Sequence, residues 1–223
     1  MESKLTKEEL NNALCDVRKA HRLIYAYQRR MLDLTHFIKS KLVFSEYDGN
    51  KLFCNTIRGR NNSYGKLSIG KDMWAWDFLY SYVFEYYFGK KDGGNYETTM
   101  SVIQVSDTGC FDSNVLHDSR IDITTFSSEE NAITKLIFVI EKRDKQNEYA
   151  WADSNWLGHE VYNNNERMSA KHTVDTLNQK GNVQIIYSFP LERFLNEEAT
   201  IETLKEFVEY CNNNGITELK LEL

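Results

Sequence analysis

The sequence contains little proline and no closely spaced cysteine pair. Its 223 residues include one proline, Pro190, and four cysteines that form no CxxC pair, Cys15, Cys54, Cys110 and Cys211. Because proline is scarce and no low-complexity tract occurs, long disordered linkers are not expected. Cysteines this far apart indicate reduced thiols rather than a zinc site or a disulfide framework. We therefore expect a compact intracellular protein.

Long apolar runs and the common catalytic motifs are also missing. No segment approaches the length of a membrane span, and the N-terminal MESKLTKEEL lacks an apolar signal core, so we expect a cytoplasmic protein with no membrane contact. The motifs GxxxxGK[ST], GxGxxG and GxSxG do not occur, which argues against nucleotide loops of those types and against a hydrolase elbow. We predict no catalytic residue, no metal ligand and no cofactor.

The N-terminal region carries a sustained heptad pattern. Apolar residues recur every seven positions at Leu10, Val17, Ile24, Met31 and Ile38, and a second series follows at Ala13, Ala20, Tyr27 and Leu34. This is the a/d pattern of a helix that packs along one face. It predicts a long amphipathic helix within residues 4–42. Thr6 and Glu9 resemble a capping box at the start of that helix.

The predicted assembly face consists of the first series, Leu10, Val17, Ile24, Met31 and Ile38. Flanking apolar residues, including Leu14 and Leu23, make this face broader than the seam of a two-stranded coiled coil. The helix is therefore expected to pack in a bundle or across its own domain, with symmetric dimerisation as a close second. The leading functional hypothesis is a non-catalytic assembly protein that binds itself or another protein through this helix.

Charge is distributed unevenly along the chain. Residues 17–71 hold twelve Lys/Arg and three Asp/Glu, whereas residues 72–223 hold thirteen and twenty-six. A row of arginines on the helix, with two more beyond it, predicts a phosphate-binding face formed by Arg18, Arg22, Arg29, Arg58 and Arg60. The alternative function is thus a nucleic-acid-associated factor. A solvated helix face explains the same residues.

An aromatic-rich stretch covers residues 72–89 and holds nine of the 29 aromatic residues. Up to Tyr86 they occupy every even position, which suits a strand. Asp77, Ser81 and Glu85 recur at four-residue spacing, which suits a helix. Because strands usually run about 4–8 residues, the length of the stretch predicts an aromatic-rich central helix.

The rest of the sequence predicts a mainly antiparallel sheet. Strand-like segments lie at residues 96–105, 133–142 and 183–189. The apolar run 136–140 is typical of a strand that is buried on both faces. Near the C-terminus, an amphipathic helical pattern over residues 201–211 precedes leucines that alternate with charged residues, which predicts a strand–helix–strand.

Together these elements predict an α+β fold class. Its parts are a long N-terminal amphipathic heptad helix, an aromatic-rich central helix, a mainly antiparallel sheet and a C-terminal strand–helix–strand. The length fits one domain with a helical appendage, which predicts a helical element at residues 1–42 and a single α+β domain at residues 43–223.

Polar residues in predicted loops support a third hypothesis, a metal-dependent hydrolase or nuclease with its site in residues 107–160. The candidates are Asp107, Asp112, His117, Asp118, His159 and Glu160. Adjacent histidine–carboxylate pairs can bind a metal or exchange protons. However, none of the spacings HxxxH, HxH or HExxH occurs, and surface histidines beside carboxylates are common. This hypothesis ranks below the other two.

Overall fold

The structure is a computed structural model of the chain. It describes residues 6–53, 79, 81–112, 123–146, 157–177 and 181–222. The chain divides into two compact units, Met1–Phe37 and Ile38–Leu223. The domain boundary expected after residue 42 remains a prediction. Among the described residues, no helix is both long enough and apolar enough to cross a bilayer.

Helix α1 spans Lys7–Lys41 and confirms the predicted long helix. It begins with a capping box, in which Thr6 N–H and Oγ1 donate to the Glu9 carboxylate at 2.7 and 2.8 Å. In return, Glu9 N–H donates to Thr6 Oγ1 at 3.2 Å. These bonds stabilise the first turn, where amide groups have no acceptor within the helix. The capping box confirms the interpretation of Thr6 and Glu9.

The strands are β1 (Asp48–Lys51), β2 (Val83–Asp92), β3 (Tyr96–Val105), β4 (Lys135–Asp144), β5 (His172–Leu177) and β6 (Asn182–Pro190). In the described part of the chain these six strands form one sheet in the order β1-β2-β3-β4-β6-β5. Every neighbouring pair is antiparallel, which confirms the predicted sheet type.

Short helical segments connect the strands, and a longer helix follows the last one. The segments are α2 (Gly109–Asp112), a 3₁₀ turn at Ile123–Thr125, α3 (Gly158–Tyr162), α4 (Asn165–Ser169) and a 3₁₀ turn at Leu191–Phe194. Helix α5 spans Glu197–Asn213, and the Asn196 side chain caps it by accepting from Ala199 N–H at 2.9 Å.

The core lies on both faces of the sheet, and β4 contributes to each. On one face, Ile137 and Val139 belong to a cluster with residues of α3 and α4, including Val161 and Met168. On the other face, the ring of Phe138 contacts Phe189, Phe194 and Phe207 with centroids 4.9–6.0 Å apart. All residues of the run 136–140 are fully buried, which confirms the prediction of a doubly covered strand.

The predicted aromatic central helix is wrong where the structure describes it. Val83–Asp92 is strand β2, which pairs with β1 and β3. The alternation of aromatics was the correct signal, and the length criterion misled because β2 has ten residues. A bulge between Tyr87 and Gly89 lets the strand continue past the break in alternation. Residues 72–78 and 80 lie outside the described residues.

The C-terminal prediction is confirmed for the strand and the helix and is wrong for the final strand. β6 and α5 occur as expected, and Gly215 follows the helix with a φ of +97°. Residues 219–222 form no strand, although Glu222 N–H donates to the carbonyl of Lys41 at 2.8 Å. Alternation of apolar and charged residues is therefore not sufficient to predict a strand in this segment.

Candidate functional site

The predicted assembly face on α1 has two different parts. Leu10, Val17 and Ile24 expose 50%, 51% and 41% of their surface, whereas Met31 and Ile38 are fully buried. The exposed part starts in the first turns of the helix and ends before Met31. The structure thus places all five residues on one helix and leaves three of them accessible to solvent.

Other apolar residues widen the exposed part of this face. Leu14 is 45% exposed and Leu23 is 71% exposed. Ala13 and Ala20 occupy the d positions between the larger residues and are also exposed. Aliphatic side chains thus remain accessible to solvent along the first turns of this helix face. We call residues 7–30 of α1 the exposed segment.

The structure describes three of the five residues of the predicted phosphate-binding face. Arg18, Arg22 and Arg29 are exposed along α1, and the rise of a helix places the first and last about 16 Å apart. Arg29 Nε lies 3.5 Å from Asp33 Oδ2 in a solvent-exposed ion pair. Arg58 and Arg60 lie outside the described residues.

The loop residues of the hydrolase hypothesis are only partly described. Asp107 Oδ1 accepts from Gly109 N–H at 2.7 Å, and Asp112 ends α2. His117 and Asp118 lie outside the described residues, as does the side chain of His159. Within the described ranges, no group of three His, Cys, Asp or Glu residues is arranged to hold a metal ion.

A buried polar network around Glu141 was missed by sequence analysis. Glu141 is 3% exposed and lies on the sheet face that also carries Ile137 and Val139. The amide of Gln184, its neighbour on β6, donates to Glu141 Oε2 at 3.5 Å and to Glu160 Oε2 at 3.4 Å. The strand period contained this signal, because Glu141 continues the alternation of the two apolar residues.

Arg167 of α4 completes the network. Its guanidinium donates to Gln184 Oε1 at 3.0 Å and to Asp175 Oδ2 at 2.9 Å. Burial raises the pKa of Glu141 to about 7, and the nearby Glu160 carboxylate adds to this effect. A carboxyl group with such a pKa can exchange protons near neutral pH, but here it is enclosed by its hydrogen-bond partners. The arrangement therefore suits a structural role within the sheet.

A second buried carboxyl group, Glu85, links the sheet to α3. Glu85 has no exposed surface, and its Oε1 accepts from Gly158 N–H at 2.8 Å. Burial raises the pKa of Glu85, and the Gly158 bond opposes that shift. A methyl group on Gly158 would lie 2.6 Å from Glu85 Oε2, so the close approach requires glycine.

Comparison with known proteins identifies the family. One similar protein, from Pasteurella multocida (strain Pm70) and named Uncharacterized protein PM0109, is 49% identical over 43 residues, which cover 19% of this chain and 21% of that protein. No solved structure matches. The model of the PM0109 family matches residues 7–218, and the chain therefore belongs to the PM0109 family.

Proposed function

We propose that this protein is a non-catalytic assembly protein that associates with itself through the exposed segment of α1. The observation that carries the proposal is the half-exposed row of Leu10, Val17 and Ile24 on one helix face. Rows of aliphatic side chains at heptad spacing are stabilised when a second helix covers them. The described cysteines Cys15, Cys110 and Cys211 are thiols outside any disulfide, which suits the reducing conditions of the cytoplasm, where we place the protein.

The expected association is reversible. Each of the three half-exposed side chains gains about 1 kcal/mol when a second copy covers its remaining surface, or about 6 kcal/mol for two copies. Leu14 and Leu23 add to this gain at the margins of the face. Because the apolar gain is modest, the two copies should dissociate on dilution, and the mass in solution should rise with protein concentration.

The test replaces Ile24 with glutamate and measures the solution mass by size-exclusion chromatography with light scattering. Burying a charge in the apolar contact should weaken association by about 100-fold or more. The matched control is Tyr25→Glu, since Tyr25 is 71% exposed at the adjacent helix position outside the heptad face. Tyr25→Glu should assemble like the wild type. An unchanged mass for a folded Ile24→Glu variant would overturn the proposal.

A second candidate function, nucleic-acid binding, is favoured by the exposed arginines of α1. Residues 17–30 contain five Lys/Arg and no Asp or Glu, and Arg18 and Arg22 are exposed on this segment. Guanidinium groups bind phosphates and release counterions when they do so.

This second candidate predicts binding of a fluorescent single-stranded oligonucleotide that weakens steeply with salt. In a plot of the logarithm of affinity against the logarithm of salt concentration, the variant Arg18→Gln/Arg22→Gln should make the slope shallower by about 0.7 for each arginine replaced. Fluorescence anisotropy in a salt series measures both effects, and Lys39→Gln in the last turn of α1 is the control. Absence of binding at low salt would remove this function.

A further inference from the structure

The sizes of the side chains on α1 distinguish the two ways in which two copies of the helix can pair. The a positions of the exposed segment, Leu10, Val17 and Ile24, are large. Two of its three d positions, Ala13 and Ala20, are small, and the third, Tyr27, is large. In a parallel pair, each residue faces its own copy. The valine and isoleucine layers would then hold the helices apart, and the alanine layers between them would leave voids, which destabilise a packed interface.

An antiparallel pair removes this mismatch, because each a position then faces a d position of the other helix. Ile24 faces Ala13 of the second copy, and Val17 faces Ala20. Each of these layers combines one large and one small side chain, so the two helices keep a constant distance. The layers at the two ends pair two large side chains, Leu10 and Tyr27, so the matched layers are the central ones formed by residues 13–24.

The same register fits the length of the exposed segment. With Ile24 opposite Ala13, Lys7 lies opposite Arg30. Lys7 is the first residue of α1, and Arg30 precedes the fully buried Met31. The overlap therefore starts where the helix starts and ends where the accessible part of the heptad face ends.

Charge favours the same orientation. Residues 7–18 contain two basic and three acidic residues, whereas residues 19–30 contain four basic residues and no acidic one. An antiparallel pair sets each of these halves against the other, while a parallel pair sets the basic halves side by side. Antiparallel helix dipoles also attract each other, and parallel dipoles repel.

We infer that α1 binds α1 of a second copy in antiparallel orientation over residues 7–30, with Ile24 opposite Ala13 and Val17 opposite Ala20. This inference rests on the proposed self-association and specifies its geometry. The two-fold axis of the pair passes between Arg18 and Lys19, so one set of contacts occurs twice.

Spin labels on two residues of equal heptad position test the geometry. Cys15 and Glu8 both occupy f positions, outside the contact. The first protein carries Cys54→Ser and is labelled at Cys15. The second carries Cys54→Ser, Cys15→Ser and Glu8→Cys and is labelled at residue 8. Cys110 and Cys211 are buried. At 1.5 Å per residue, the antiparallel register separates the two labels at residue 8 by about 32 Å along the axis. The labels at residue 15 are separated by about 10 Å.

Pulsed dipolar electron paramagnetic resonance measures both distances in the full-length protein, and light scattering gives the mass of the same samples. The expected result is a dimer with a much longer distance at residue 8 than at residue 15. Equal distances in a dimer would show parallel pairing and overturn the inference, while self-association would stand. Unequal distances with another offset would overturn the assigned register. A monomeric mass at all concentrations would contradict the proposed self-association itself, and the inference with it.

Discussion

Strand β4 and the exposed segment of α1 use apolar residues in opposite ways. In β4, Ile137, Phe138 and Val139 have no exposed surface, and residues from both sides of the sheet cover them. In α1, Val17 and Ile24 follow an equally regular pattern and keep 51% and 41% of their surface exposed. Periodicity therefore identifies a face that is stabilised when other residues cover it, but the covering residues have to be identified from the tertiary structure.

The two regions should therefore respond differently to substitution. A change in β4 alters the free energy of unfolding of a chain, because the contacts are within the chain. If the proposed self-association holds, a change on the exposed segment should alter the free energy of association and leave the sheet intact. Measuring the free energy of unfolding and the free energy of association on each variant separates the two effects.

The largest expected effect is that of Phe138→Ala. The ring of Phe138 packs against three other aromatic rings, so its removal should lower the free energy of unfolding by about 3–5 kcal/mol. Urea denaturation monitored by fluorescence measures this loss. Val17→Ala, which removes a half-exposed side chain from α1, is the contrasting variant and should leave the denaturation midpoint of the sheet almost unchanged. A loss below about 1 kcal/mol for Phe138→Ala would contradict the core assignment.

Next in size is the effect of Glu141→Gln on the pH dependence of stability. The folded pKa of about 7 lies above the ordinary value of 4.5, so the folded state retains the proton more strongly than the unfolded state. The contribution of this group to stability is fully present below about pH 4.5 and is lost as the pH rises through about 7. At about 1.4 kcal/mol per pH unit, the loss reaches about 3 kcal/mol.

The variant cannot titrate at this position and should lack that part of the pH dependence. Urea denaturation of both proteins at about pH 5 and about pH 8 measures the difference, and Glu141→Gln should be the more stable protein at the higher pH. Glu130→Gln, at an exposed carboxylate, is the control. Identical pH dependence in the wild type and Glu141→Gln would show that the buried carboxyl does not titrate as described.

A smaller loss of stability is expected for Gly158→Ala, which tests how closely the buried region around Glu85 is packed. The added methyl group would lie 2.6 Å from Glu85 Oε2 and 3.0 Å from Leu52 Cδ1. Overpacking of this kind should lower the free energy of unfolding by about 1–3 kcal/mol. Stability equal to that of the wild type would contradict the packing around Glu85.

The smallest effect belongs to Thr6→Ala, and it should appear in α1 alone. Loss of the capping hydroxyl weakens the first turn by about 0.5 kcal/mol in each copy, or about 1 kcal/mol per dimer, which should lower self-association by about fivefold. Thr6→Ser retains the hydroxyl and should behave like the wild type. Sedimentation analysis gives the association constants. Equal constants for all three proteins would show that the first turn of α1 takes no part in assembly.

Much of the fold could be predicted because local signals agreed with the tertiary structure. The Thr6–Glu9 box defined the start of α1, and the uninterrupted apolar run defined β4. The error in β2 has a physical cause: helix and strand patterns overlapped there, and pairing with β1 and β3 decided the outcome. Such pairing joins residues that are distant in sequence, so the local alternation of aromatics could not by itself decide between the two patterns.

The residues that form the candidate site could be predicted from the sequence, but their exposure to solvent could not. The heptad pattern identified Leu10, Val17, Ile24, Met31 and Ile38 as one face. Burial of the last two and exposure of the first three depend on what surrounds each part of the helix, which spacing does not encode. The Glu141 network was missed for a related reason, since its partner Gln184 comes from another strand.

Amide hydrogen exchange tests whether self-association covers the exposed segment of α1 while residues of the same chain cover β4. The wild type, Ile24→Glu and Tyr25→Glu are compared at equal concentration. The amides of residues 10–30 should exchange faster in Ile24→Glu than in the other two proteins, and those of β4 should exchange equally in all three. Equal exchange of residues 10–30 in the three proteins would contradict the claim.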